Sequence, residues 1–287
     1  MEHEKWIIHP GETRVIDVAD VARLKASLVG GQIDIIGHDE PHVRVEVHGV
    51  AVKDLRIEVT RGALEIDHPQ LRWDNFIKVF GNVGSSGPRA EISVAVPRHL
   101  ELTLGVVSAN ALVAGLAGDA TINTVSADVL VDGLTGDLNT HAVSGDVQVR
   151  GLVGAFSCDM VSGDIAVSGE VTKTDINTVS GTVLLDGTGA LQSAQLNSVS
   201  GATTLRLDDE YAADYNIHTL SGRVHVDGVA RSRNHQGHTG ALSGMFADVR
   251  ANSVSGDITV VRRGETAREI GVDSEVQWPG AEREGQS

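Results

Sequence analysis

One cysteine, Cys158, stands among 287 residues. That single thiol excludes an internal disulfide framework and any multi-cysteine zinc or iron–sulfur site. Aromatic residues make up 3% of the chain, so a core must be built from Val, Leu, Ile and Ala. Basic residues are scarce too, with 23 Lys and Arg against 39 Asp and Glu, a formal charge of -16. A phosphate backbone is repelled over most of such a surface, which argues against nucleic-acid partners. No segment approaches the run of about eighteen apolar residues that marks a membrane span. The first thirty residues carry Glu2, Glu4, Lys5, Glu12, Arg14, Asp17 and Asp20 where a signal peptide needs an apolar core. The expectation is a soluble, cytoplasmic protein without direct membrane insertion.

What is present points to β-structure. Hydrophobic residues reach 41% and glycines number 33 in a chain with only 6 prolines, a profile of many tight turns around an aliphatic core. Apolar and polar residues alternate in short runs such as Val43-Arg44-Val45-Glu46-Val47 and Leu55-Arg56-Ile57-Glu58-Val59, as in half-buried strands. The stretch Leu28-Val29-Gly30-Gly31-Gln32-Ile33 looks like an early, degraded copy of a phrase that dominates later. Residues 67–90 interrupt the pattern with Trp73, Phe76 and Phe80 followed by a Gly/Ser/Pro run. Those aromatics suit either an end cap over an open sheet edge or a partner-binding loop.

From Val107 onward a five-residue phrase, written Val161-Ser162-Gly163-Asp164-Ile165 in one copy, sets the organisation. Its first residue recurs at Val107, Val125, Val143, Val161 and Val179, four steps of eighteen, and then at Val199, Leu220 and Val254. A fixed period of this size marks a solenoid in which each unit buries its apolar face on the next. An internal echo nine residues after Val125, at Leu134-Thr135-Gly136-Asp137-Leu138, favours two strands per unit over three, with turns at Gly133 and around Ala142. The expected fold is all-β, a single-chain, flattened, two-sheet parallel β-solenoid of about 18 residues per rung. Its first 100 residues form a β-rich part continuous with the solenoid, residues 101–262 carry the repeats, and 263–287 form a flexible tail. Val129, Val147, Ile165 and Val183 should share one inward column, with Phe156, Cys158 and Met160 inward on the other sheet. The valines and isoleucine of the phrase are expected to face the core. Eight rungs stacked in chain order would make a rod on the order of 38 Å long.

Stacking also lines up polar residues. Asn123, His141, Asp159, Asn177, Asn197, His218 and Asn252 form one line, best read as side chains that bond to one another along a corner. His141, Asp159 and Ser144 permit a base, an orienter and a nucleophile on paper, but regular strands supply no pocket or oxyanion donors. Asp128, Asp146 and Asp164 form a second line. Carboxylates about 5 Å apart repel by roughly 1–3 kcal/mol, which a cation or solvation would relieve. A solvated acidic ridge is the simpler reading. Arg231, Arg233, His235 and His238 fall in an excursion that lengthens the last unit, a loop without a full metal-ligand set. Gly187-Thr188-Gly189 lacks the third glycine of a dinucleotide fingerprint and reads as a turn. Cys158 reads as a small core residue.

The recurring phrases, the approach through Ile92-Ser93-Val94-Ala95-Val96-Pro97 and the early Gly-Gly-Gln-Ile-Asp-Ile segment together resemble a bacterial family. It is the adhesin-like toast-rack β-strand repeat group, a domain of unknown function. The resemblance implies a β-solenoid without an established enzymatic activity and without a cofactor. It also implies association with cell-envelope stress systems or transcription regulators. The reading that follows is a non-enzymatic structural and protein-interaction module, binding a protein partner or itself. Candidate contact residues are Trp73, Phe76, Phe80, Arg231, Arg233 and His235. The alternatives are a carbohydrate-binding or carbohydrate-active β-helix, for which the repeat offers few stacking aromatics, and a calcium-stabilised rod on the Asp128, Asp146, Asp164 line.

Overall fold

The computed structural model describes residues 3–69, 87–242 and 244–264, and the described part is built almost wholly of strands. Long strands arise where alternating runs continue without proline. β8 (Glu101–Ala114), β12 (Val147–Ser162) and β13 (Ile165–Ser180) each run 14 or 16 residues. Each bends, β12 at Gly151 and Gly154 and β13 at Gly169, so that its first half pairs in one ladder and its second half in another. Between them lie β9 (Ala120–Ser126), β10 (Val129–Asp132) and β11 (Leu138–Ser144). Their pairings are parallel with a register step of eighteen, Val129 opposite Val147 and Val147 opposite Ile165. The step carries on through β14 (Val183–Gly187), since Ile165 faces Val183.

This register stacks identical residue types, and the stacked columns are the core. Val129, Val147, Ile165 and Val183 are at most 2% exposed, and Phe156, Cys158 and Met160 at most 3%. Fully burying each such side chain contributes about 1.5–3 kcal/mol. The corner between the two ladders is glycine because rungs approach backbone to backbone. A Cβ on Gly163, whose φ is +130°, would lie 2.1 Å from the Gly145 carbonyl oxygen. The turn therefore falls at Gly145-Asp146, and Ala142, expected near a turn, lies inside β11.

The rungs do not stack in chain order. β15 (Ser193–Ser200) and β16 (Thr203–Leu207) continue the stack, and the next rung along the chain is β17 (Ala212–Thr219) with β18 (Val224–Val226). That rung sits one place further out. The chain then turns back through β19 (Val229–Arg231) and β20 (Asn234–Thr239), and β21 (Phe246–Ser255) with β22 (Ile258–Arg262) inserts into the gap. The spatial order is thus Val199, Val254, Leu220. Arg263 locks the inserted rung, its Nε donating to Asp208 Oδ1 at 2.7 Å and its Nη2 to Asp186 Oδ1 at 2.6 Å. Arg262 donates to the carbonyls of Asp209 and Tyr211.

The other end repeats the device. β3 (Arg23–His38) is a full rung, paired in parallel on one side with β8 and on the other with β6 (Ala63–Asp67) and β7 (Arg89–Pro97). Its Gly31 is the corner glycine that the degraded phrase suggested, with φ +107° and no space for a Cβ against the Ala90 carbonyl. Beyond it the pairing turns antiparallel, through β4 (His42–Ala51) and β5 (Leu55–Thr60) to the edge strands β1 (Glu4–Ile8) and β2 (Arg14–Ala19). At the far end β19 and β20 are antiparallel as well. Short antiparallel edge strands carrying charged residues such as Glu4, Lys5, Arg14 and Arg231 blunt both ends of the stack against uncontrolled strand addition. Each ladder holds thirteen strands among the described residues, from β1 to β20 and from β2 to β19. At about 4.8 Å per step this is roughly 58 Å, longer than eight rungs allow.

Candidate functional site

The polar lines that stacking creates are engaged with the fold. Asp146 donates its backbone N–H to Asp128 Oδ1 at 3.0 Å, Asp164 to Asp146 Oδ1 at 2.9 Å, and Thr182 to Asp164 Oδ1 at 2.7 Å. A second corner does the same from Asp119 to Asp137 to Ala155. Each carboxylate thus tethers the turn of the next rung, and the amide dipole offsets the repulsion between neighbouring charges. Among the described residues no group of three His, Cys, Asp or Glu side chains is arranged to hold a metal ion.

The second line is an amide ladder. Asn177 Nδ2 donates to Asp159 Oδ1 at 3.0 Å, Asn197 Nδ2 to Asn177 Oδ1 at 2.8 Å, and Asn252 Nδ2 to Asn197 Oδ1 at 3.0 Å. Asn252 follows Asn197 because of the inserted rung. His141 Nε2 lies 3.6 Å from Asp159 Oδ2, and both side chains are more than half exposed. Ser144 Oγ donates to the Val125 carbonyl at 3.0 Å. The histidine and serine are therefore not joined in a proton relay. Burial pushes the Cys158 thiol up to about 12, with Asp159 adding to the rise, so the thiolate needed for nucleophilic chemistry does not form near neutral pH. Gly189 lies in a turn, its N–H donating to Asp208 Oδ2.

Arg231 and His235 do come together at the far end, Arg231 closing β19 and His235 on β20, with Arg233 in the connection between the two strands. Arg231 and Arg233 are exposed and His235 half-buried. Partial desolvation, and then the charge of Arg231, hold His235 below the ordinary imidazole value. This end of the stack differs in charge from the middle. Residues 212–264 hold 6 Arg and 4 Asp, whereas 87–211 hold 5 basic and 15 acidic residues. Trp73, Phe76 and Phe80 lie outside the described residues.

One line was misassigned from sequence. From Val143 on the leading residue of the phrase faces solvent, with Val143, Val161, Val179, Val199 and Val254 all 47–50% exposed and Leu220 65% exposed, whereas Val125 is buried as expected. The signal was present: if Cys158 and Met160 point inward, period two turns Val161 outward. All of these side chains except Val143, with the adjacent amide ladder, line a depression of about 660 Å³.

The class these features define is an all-β repeat protein whose polar residues brace a stack of strands. The chain belongs to the Toastrack DUF4097 family, whose pattern matches residues 23–261. No curated protein matches the chain. Among solved structures it is similar to a candidate lipid-binding protein from Parabacteroides distasonis, at 18% identity, a TM-score of 0.48, and coverage of 88% of this chain and 96% of that one. It is also similar to a candidate cell adhesion protein from Clostridium sporogenes, at 15% identity, a TM-score of 0.32, and coverage of 91% and 99%. A candidate adhesin from Bacteroides fragilis matches at 13% identity and a TM-score of 0.40, with 88% and 97% covered.

Proposed function

We propose that the chain is a non-enzymatic structural and protein-interaction module. In this reading it is a flattened two-sheet solenoid of about 18 residues per rung that presents a protein-binding cap at its far end. The observation that carries this is the charge reversal at the cap: Arg231 and Arg233 are exposed at the connection from β19 to β20, at the end of an acidic stack. Elsewhere the regular Asp and Asn lines are bonded into the fold, which leaves the interrupted repeat as the place where side chains are free to recognise a partner. An acidic protein surface is the complementary partner.

The test is affinity capture from the native organism with wild-type chain and with the double variant Arg231→Glu, Arg233→Glu. The expected result is loss of a salt-sensitive set of captured proteins at unchanged circular dichroism. Identical capture by both baits removes the cap from the account, and Trp73→Ser with Phe76→Ser then tests those aromatic residues in the same way.

A further inference from the structure

The exposed aliphatic stripe has no role in bracing the stack and meets the cap only at its last member, Leu220, whose carbonyl accepts from Arg233 Nη1 at 3.4 Å. It runs over six consecutive rungs in the spatial order Val143, Val161, Val179, Val199, Val254, Leu220. Across the second halves of these rungs the ladder keeps an unbroken register from Ser157 opposite Asp175 to Thr219 opposite Ser253. Side chains along it therefore repeat every 4.8 Å or so. Three adjacent outward columns form the contact, namely the aliphatic stripe, the amide ladder beside it and a polar column whose charged members are Asp175 and Arg250, with a fourth column through Lys173, Ser193, Asp248 and Asp214 at its margin.

We infer that this face is a docking surface for a second copy of the same chain. A two-fold contact requires a surface complementary to itself. A two-fold axis along the rod would set the aliphatic stripe against the polar column. An axis along the strands, midway between β13 and β15, reverses the rung order but keeps each column facing its own kind. Val179 then faces Val199 of the second copy, Val161 faces Val254, and Val143 faces Leu220. The same operation sets Asp159 opposite Asn252, Asp175 opposite Gln195, and Arg250 opposite Ser157. Asp159, Asp175 and Arg250 thus meet neutral partners and His141 faces His218, while the amides of the ladder already bond to one another, so apolar contact strands none of them.

The area bears on the strength. Six rungs by three columns cover about 580 Å² per copy, or about 1,200 Å² in total, the lower end of specific interfaces. The dimer is therefore weak, reversible and concentration-dependent. Contact through the acidic middle of the opposite ladder would bring carboxylate lines together, whereas these three columns carry Asp159 and Asp175 against Arg250.

Sedimentation equilibrium of the full chain over a concentration series tests the inference. The weight-average mass should climb from 30.2 kDa toward twice that value, and the variant Val179→Asp, Val199→Asp should stay monomeric. A register test uses smaller changes: chains carrying Val161→Cys mixed with chains carrying Val254→Cys should cross-link on oxidation far more than either alone. The buried Cys158 stays silent in that assay. A wild-type mass that stays monomeric up to about 1 mM overturns the inference. So does an Asp variant that folds and dimerises like wild type. If that variant fails to fold, the cysteine mixture decides, and equal cross-linking in mixed and single samples refutes the register.

Discussion

Replacing Gly163 with alanine tests the stacking argument at its tightest point. Gly145, Gly163, Gly181 and Gly201 stand over one another at the corner, and an added Cβ on each would lie 1.9–2.3 Å from a carbonyl oxygen of the rung beside it. No side chain rotation relieves that contact, because both partners are backbone. The φ of +130° adds a strain of about 1–3 kcal/mol for a non-glycine residue, and overpacking adds about 1–3 kcal/mol more. Gly189→Ala is the control, since Gly189 also has positive φ, at +75°, but nothing within 4 Å of the added carbon. Its cost is conformational alone, about 1 kcal/mol. At roughly 2–4 °C per kcal/mol, Gly163→Ala at about 4 kcal/mol should lower the melting midpoint by about 8–16 °C, and Gly189→Ala by about 2–4 °C. Thermal melts followed by far-ultraviolet circular dichroism measure both. Equal shifts would refute close backbone approach as the reason for glycine in the repeated phrase.

The other expectations concern the polar groups. Asp146→Ala removes the acceptor of the Asp164 N–H and should cost about 0.5–1.5 kcal/mol in a denaturant titration, while Asp146→Asn, which keeps an acceptor oxygen, should cost less. Millimolar calcium or a chelator should leave the melting midpoint of the wild-type chain unchanged; a rise with calcium would turn the aspartate line into an ion site. His68 is buried with its Nδ1 against the Asp54 carbonyl, and desolvation holds it below the ordinary 6.5. The unfolded chain therefore binds a proton that the folded chain resists. This contribution to stability is intact above pH 6.5 and is lost as pH falls below it toward the lower folded value, a slope that His68→Gln should flatten. Cys158 should resist iodoacetamide at pH 8 until the chain is unfolded; rapid labelling of native protein would contradict its burial.

Much of this architecture can be read from local pattern. The eighteen-residue period gives the register of Val129 on Val147 on Ile165, and alternation gives the inward row Phe156, Cys158, Met160. The bonding of Asn177 to Asn197 follows from stacking alone. The outward turn of Val161 was equally available from alternation, but hydrophobicity argued for the core and obscured it. The aspartate ladder shows the opposite case: an acidic line suggests charge and ions, and only the placement of the next rung's N–H reveals a tether.

The sequence by itself determined the rung, its period, its glycine corner and its inward residues, because each depends on contacts between one turn of chain and whichever similar turn lies above it. Only the tertiary structure decided which turn that is. Near-identical phrases make near-interchangeable neighbours, so nothing local states that residues 246–262 slide between 193–207 and 212–226, or that β3 sits between β7 and β8. That order comes from longer-range groups, Arg262 and Arg263 at one end and the antiparallel strands that close both. It also completes the six-rung aliphatic stripe, by bringing Val254 between Val199 and Leu220.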